Sequence, residues 1–167
     1  MKDELVSIVD EKDTVIATVT RKEMRQKNLL HRCTYILLFN SKGELFITKR
    51  TKTKDVAPGL YEIGQGGVVN AGETYEQSAK RELFEELGIV SELTYLFDFR
   101  FKSEKSKFLA KVFMCKYDGK MVLQETEIAM GYFISLEKLK ENLKTNPELF
   151  SKDGIEMIRK YFEFARK

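Results

Sequence analysis

"AKRELFEELGI", residues 79–89, gathers three glutamates and an arginine between Arg81 and Gly88. Like charges three and four residues apart on a helix repel, each pair costing a few tenths of a kcal/mol. Glu82, Glu85 and Glu86 nevertheless fall within an arc of roughly 100°, since each helical residue turns the side chain by about 100°. Leu83 and Leu87 lie on an adjacent face and can anchor the helix to a core. The stretch is therefore a solvated face with an excess of acid, or a packed helix offering hard oxygen donors to a cation. Such donors suit Mg²⁺ or Mn²⁺ and suit zinc poorly.

The residues upstream decide between the two. Gly67 and Glu73 extend the stretch to G-x5-E-x7-R-E-L-F-E-E-L-G-I. Seven fixed matches at one place, with each residue type at ordinary frequency, have a chance of about 10⁻⁸. Gly67, Glu73, Arg81, Glu82, Glu85, Glu86 and Gly88 stand at the spacing of the Nudix box, with Leu83 and Ile89 at its aliphatic positions. Here the chain resembles the Nudix hydrolase family. The resemblance implies an α/β/α sandwich and hydrolysis of a diphosphate linked to another group, typically a nucleoside diphosphate derivative. It implies Glu82, Glu85, Glu86 and the Gly67 carbonyl as ligands of Mg²⁺ or Mn²⁺, and Arg81 and Glu73 as partners bracing loop against helix. It also implies a general base among Glu82, Glu85 and a glutamate outside the box. Glu127, in the acidic segment "QETE" (124–127), stands where the resemblance puts a further metal ligand or base, with Glu125 the second choice and two exposed acids in a turn the plain alternative. The physics agrees, because metals neutralise the diphosphate oxygens and activate a water.

Further upstream, "HR" before the first core strand, the "KR…K" loop and the "PG" before the box resemble the Nudix subgroup related to isopentenyl-diphosphate isomerase. This likeness covers about residues 5–140. Isomerisation is a poor fit, however. Gln65 stands at the isomerase cysteine, and Gly67 and Met24 at two of its metal histidines. Glutamine cannot supply a thiol's acid chemistry, and methionine is a poor ligand for a hard cation. His31 matches the remaining metal histidine and is expected to be structural. Arg50 and Lys54 align with diphosphate-binding residues, with Arg21 a weaker candidate; guanidinium and ammonium groups suit phosphate oxygens. A solvated basic loop explains them about as well.

The rest of the chain reads as one domain spanning 1–167, an α/β fold with a mixed sheet covered by helices on both sides. "LVSIVD" and "TVIATVT" alternate like an N-terminal β-hairpin around "EKD". Thr20 caps a short helix, and "CTYILLFN" and "ELFITKR" flank a turn at Gly43. "YEIGQGGVVN" reads as a strand interrupted by three glycines. Thr74 to Leu87 reads as a helix closed by Gly88. "SELTYLFDFRF" and "KFLAKVFMCKY" pair as strands, Gly131 to Ile134 forms a short one, and two helical pieces follow, split near Asn146 and Pro147.

Composition excludes several classes. The 43% hydrophobic and 33% charged fractions fit a folded soluble domain, and "YILLF" is the longest apolar run, too short to cross a bilayer. A net charge of +3 does not point to nucleic acid. The acidic N-terminus lacks the pattern of an export signal, and Cys33 and Cys115 read as buried thiols, so a cytoplasmic protein is expected. A small-molecule diphosphate is the expected partner. A homodimer through the N-terminal hairpin and "FDFRF" is a further option. Tyr61, Phe99, Phe101 and Tyr132 are candidates for stacking on a base, although strand aromatics more often build the core. The alternative function is a non-catalytic nucleotide-binding regulatory module.

Overall fold

The computed structural model describes residues 3–167. Eight strands and four helices follow one another in the order β1 (Leu5–Val9), β2 (Val15–Thr20), α1 (Arg21–Gln26), β3 (His31–Phe39), β4 (Leu45–Arg50), β5 (Tyr61–Ile63), α2 (Tyr75–Leu87), β6 (Thr94–Lys102), β7 (Lys107–Lys116), β8 (Ile128–Ile134), α3 (Leu136–Thr145) and α4 (Lys152–Ala165). A single 3₁₀ turn, Pro147–Leu149, separates the last two helices.

Strand β3 is the centre of the fold. All of its residues except Arg32 are buried, as a strand covered on both faces requires. Along one edge it pairs in parallel with β7 from His31↔Phe108 to Phe39↔Lys116. The other edge is shared out: Ile8 of β1 meets His31, the glycine-rich segment bridges at Cys33 and Ile36, and Leu45 of β4 meets Phe39. Strand β4 then leaves β3 and pairs with β5 and β8. The turn at Gly43 is as expected, but the hairpin ladder beyond it is not, because β3 spends that edge on the glycine-rich segment.

That segment corrects a second expectation. Only Tyr61–Ile63 is strand, and residues 64–70 hold to β3 through single bridges and the bonds Ile36 N→Gln65 O (2.6 Å), Thr34 N→Gly67 O (2.9 Å) and Val69 N→Arg32 O (2.9 Å). The glycines permit this close approach. Gly66 has φ +138°, and a Cβ on it would stand 2.1 Å from the Thr34 carbonyl oxygen. Strand β8 starts at Ile128, three residues earlier than expected.

Two apolar clusters lie on the two faces of the sheet. Ile36 and Leu38 of β3 pack with Ala79, Leu83 and Leu87 of α2. Tyr35, Leu37 and Phe39, pointing to the opposite face, pack with Leu139 and Leu143 of α3 and Met157 and Ile158 of α4. Leu83 and Leu87 are completely buried, a burial of about 2 kcal/mol each that outweighs the acidic repulsion along α2. Helix α2 starts with a capping box between Thr74 and Gln77 and ends at Gly88, whose φ of +68° is the left-handed cap. Cys33 and Cys115 are free and buried, and no helix among the described residues is long and apolar enough to cross a membrane.

Candidate active site

A cavity of about 590 Å³ opens where α2, the glycine-rich segment, the loop after β4 and the start of α4 meet. Gly67, Arg81, Glu82, Glu85, Glu86, Arg21, Arg50, Lys54 and Glu127 all line it. Residues more than 100 positions apart in sequence are thus brought to one place. Glu73 and Gly88, the other box positions, do not line the cavity and act on the frame of α2 instead.

The frame is a guanidinium hub. Arg81 Nε donates to Glu73 Oε1 at 2.7 Å and Nη2 to Oε2 at 3.0 Å, a bidentate pair. Glu73 also accepts from the Asn70 amide at 3.1 Å, which ties the loop to the helix. The remaining Nη1 donates to Glu82 Oε1 at 3.0 Å and Glu85 Oε2 at 3.2 Å. Surrounded by acids, the Arg81 guanidinium holds its proton more tightly than usual, chiefly through the Glu73 bond.

Glu86 lies outside this hub. It is buried, and burial raises its carboxyl well above the ordinary range, with Glu62, Glu82 and Glu127 adding repulsion while the Gly66 amide works the other way. Glu82 is pushed up to about 7, mainly by burial, which Arg81 partly offsets and Glu85 and Glu127 reinforce. Its carboxylate packs on Gly67, where a Cβ would stand 2.8 Å from Oε1. The Gly67 carbonyl gives one lone pair to the Thr34 amide and keeps the other.

Buried carboxylates with too little positive charge around them fit a hard divalent cation, which takes oxygen donors. Among the described residues no three acids already converge on one point; Arg81 draws Glu82 and Glu85 toward itself. Each of these carboxylates keeps its second oxygen for a ligand.

The cations of the other wall are paired. Arg50 Nη1 lies 2.5 Å from Glu62 Oε1 and its Nε donates to the Val56 carbonyl at 2.8 Å. Lys54 lies 3.1 Å from Glu127, and Arg21 3.0 Å from Glu4. Arg25, also lining the cavity, was not singled out in the sequence; its Nε is buried, has no hydrogen-bond partner among the described residues and sits 3.9 Å from Asp55. Burial and the charges of Arg21 and Arg50 make its proton easier to lose than usual.

Other residues escaped the sequence reading as well. Glu62, one of three β5 residues, lines the cavity, and burial raises its carboxyl despite Arg50. Asp153 in the first turn of α4 accepts a bond from the Tyr35 hydroxyl. A lone acid before a glycine run was the only signal for Glu62, and nothing local marked Asp153. Among the aromatic candidates, Phe101 lines the cavity; Phe99 is core, and Tyr61 and Tyr132 pack edge-to-face on one another, with ring centroids 6.2 Å apart. Met24 is buried to 1% exposure in the core, out of any ligand role. His31 is buried, with Nδ1 2.9 Å from the Leu29 carbonyl.

An acidic helix fixed to a glycine-rich loop by an Arg–Glu hub, beside a deep mixed-charge cavity, defines a hydrolase of the Nudix class. The chain belongs to this family: the model of the NUDIX domain matches residues 29–154. A Pseudomonas aeruginosa protein described as an uncharacterized Nudix hydrolase is 38% identical over 161 residues, covering 96% of this chain and 94% of that one. The Escherichia coli K12 Nudix hydrolase YfcD is 36% identical over 137 residues, 81% of this chain and 76% of that one. Among solved structures, the Deinococcus radiodurans protein DR0079 superposes with a TM-score of 0.81 at 26% identity, covering 94% and 98% of the two chains. A MutT protein from Methanosarcina mazei Go1 gives 0.69 at 26% identity, covering 82% and 94%.

Proposed function

We propose that the protein hydrolyses a diphosphate bond in a nucleoside diphosphate derivative or a related organic diphosphate, with Mg²⁺ or Mn²⁺ as cofactor. The observation that carries this reading is the buried Glu86, which has no basic partner among the described residues, beside Glu82, a pair of acids that fits a cation. Glu82, Glu85 and Glu86, with the free lone pair of the Gly67 carbonyl, are the proposed ligands. The bound metal supplies neutralisation of the diphosphate oxygens and acidity for a water.

The chain's own residues supply the rest. Arg50, Lys54 and Arg21, joined by Arg25, face the diphosphate, and each exchanges a carboxylate or an empty position for phosphate oxygens. Glu127 is the proposed base, its carboxylate held by Lys54 at 3.1 Å, with Glu82 and Glu85 as alternatives. Water oxygen bonds to one phosphorus, the bridging P–O bond breaks, the bridging oxygen leaves on the other phosphate, and the water's proton passes to the base. Arg81 and Glu73 take no part in the bond changes and hold α2 against the loop.

Kinship with the subgroup related to isopentenyl-diphosphate isomerase is part of the proposal, but isomerisation is not. Gln65 and the core-buried Met24 support that exclusion. The free cysteines support a reducing, cytoplasmic setting, and the exposed Val15 and Ile16 of edge strand β2 support a homodimer through the N-terminal hairpin. Formation of phosphomonoester products from a panel of diphosphate compounds with Mg²⁺, read as phosphate freed by an added phosphatase and lost in Glu86→Gln, tests the function. Binding of a diphosphate without turnover would instead support a regulatory module.

A further inference from the structure

Beside the glutamates, the cavity wall includes residues whose buried side-chain polar groups have no partner among the described residues. Gln65 is 1% exposed, and both its amide nitrogen and its amide oxygen are buried without a partner among the described residues. Its backbone is fully engaged with Ile36, N→O at 2.9 Å and O accepting at 2.6 Å, so the fold needs the residue but not the amide. His31, also 1% exposed, donates Nδ1–H to the Leu29 carbonyl, which leaves the neutral ring with a bare acceptor at Nε2 that has no partner. Thr34 Oγ1 is a third orphan. All three residues line the cavity together with the aromatic residues Tyr35, Phe101 and Phe108.

An unpaired buried polar group costs about 1–3 kcal/mol, so a bound group that pairs with these atoms recovers part of that. A methionine or leucine at position 65 would fill the same space without that cost. Gln65 is also two residues from Gly67, on which Glu82 packs, so it stands beside the acidic cluster.

We propose that Gln65 and His31 form a specificity subsite that hydrogen-bonds the uncharged polar group carried on the diphosphate, a sugar hydroxyl or a nucleobase edge. This rests on the hydrolase reading above. His31 Nε2 accepts from an O–H or N–H, and the Gln65 amide both donates and accepts. An alkyl or isoprenoid group offers neither and leaves every orphan unpaired, so it is rejected by about 100-fold or more.

The test measures phosphate release with Mg²⁺ from four compounds that yield phosphate directly: ADP, 2′,3′-dideoxy-ADP, ribose 5-diphosphate and isopentenyl diphosphate. The wild type should favour ADP over isopentenyl diphosphate by at least 100-fold in kcat/KM. Loss confined to the dideoxy compound assigns the bonds to sugar hydroxyls, and loss confined to ribose 5-diphosphate assigns them to the base. In Gln65→Met the KM for ADP should rise at least tenfold with kcat little changed, the preference over isopentenyl diphosphate should shrink at least tenfold, and the ligand-free protein should melt no lower than the wild type. Gln65→Asn, which keeps a shorter amide, should fall between. Turnover of all four compounds without discrimination by the wild type overturns the subsite and leaves the hydrolase standing. An unchanged preference in Gln65→Met, with or without a lower melting temperature, does the same. Should none of the four be turned over, ADP-ribose, read through phosphatase-freed phosphate, takes the place of ADP in comparing the wild type with Gln65→Met; an unchanged KM there overturns the subsite, and no turnover of that compound either overturns both readings.

Discussion

The Glu82 carboxylate rests on the Gly67 backbone so closely that a Cβ at Gly67 would lie 2.8 Å from Oε1 and 3.0 Å from Cδ. The obstructing atoms are the far end of a flexible side chain, so Gly67→Ala should fold. It should do so by expelling Glu82 from its place beside Glu86. The expected outcome is a loss of at least 100-fold in kcat with a melting temperature within a few degrees of the wild type. Wild-type activity in a folded Gly67→Ala protein would remove Glu82 from the site.

The neighbouring glycine should behave oppositely. At Gly66 the conflict is with backbone, 2.1 Å from the Thr34 carbonyl oxygen, and φ is +138°. Gly66→Ala must push the loop off β3, at a cost of about 3 kcal/mol or more. Denaturant unfolding should show it, and a stability equal to that of Gly67→Ala would contradict the register of the glycine-rich segment on β3.

Glu86 is held at a cost in the free protein. Its carboxyl is raised above the ordinary range by burial and by Glu62, so the folded chain keeps the proton that the unfolded chain gives up. The penalty is absent in acid and grows as pH rises through the ordinary carboxyl range. Glu86→Gln should therefore stabilise the metal-free protein at pH 8 by about 1–3 kcal/mol, with little gain at pH 4, while abolishing turnover. Thermal melts in chelator at the two pH values check this. A lower melting temperature at pH 8 would show that the charge is already compensated.

His31 has the opposite linkage. Burial lowers it from 6.5 to about 4, the Leu29 carbonyl resisting and the Arg25 and Arg21 charges assisting. Below pH 6.5 the unfolded chain gains a proton that the folded chain refuses, so stability is full above that pH and drains away toward pH 4. Between pH 7 and pH 5 the loss from this group is about 2 kcal/mol. His31→Gln should show a flatter stability profile over that interval, by chemical denaturation. Parallel profiles would mean that His31 is already charged in the fold.

Local pattern made most elements readable in the sequence. The 3.6-residue period, the Thr74 cap and Gly88 marked α2, and alternation marked the N-terminal hairpin. The pairing of β3 with β7 was not legible, because it joins residues more than 70 positions apart and leaves no local trace. The same limit applied to the cavity. The acids of α2 announced themselves by their spacing on one helix. Glu62, Arg25 and Asp153 come from a three-residue strand, a short helix and the last helix, and only the folded chain assembles them. Gln65 was noticed for what it replaces, and its unpartnered amide became visible only once β3 had been seen to fix its backbone.

The most direct test of the central claim is turnover read as phosphate freed from the products by added phosphatase and pyrophosphatase, with Mg²⁺ or Mn²⁺ and with neither, by the wild type and by Glu86→Gln. Nucleotide sugars, ADP-ribose, dinucleotides, nucleoside triphosphates and simple diphosphates form the panel. Metal-dependent hydrolysis of one class, lost in folded Glu86→Gln and in chelator, is the predicted result. Equal turnover by Glu86→Gln, or by the wild type without metal, would contradict the assignment of the α2 glutamates as a metal-holding cluster.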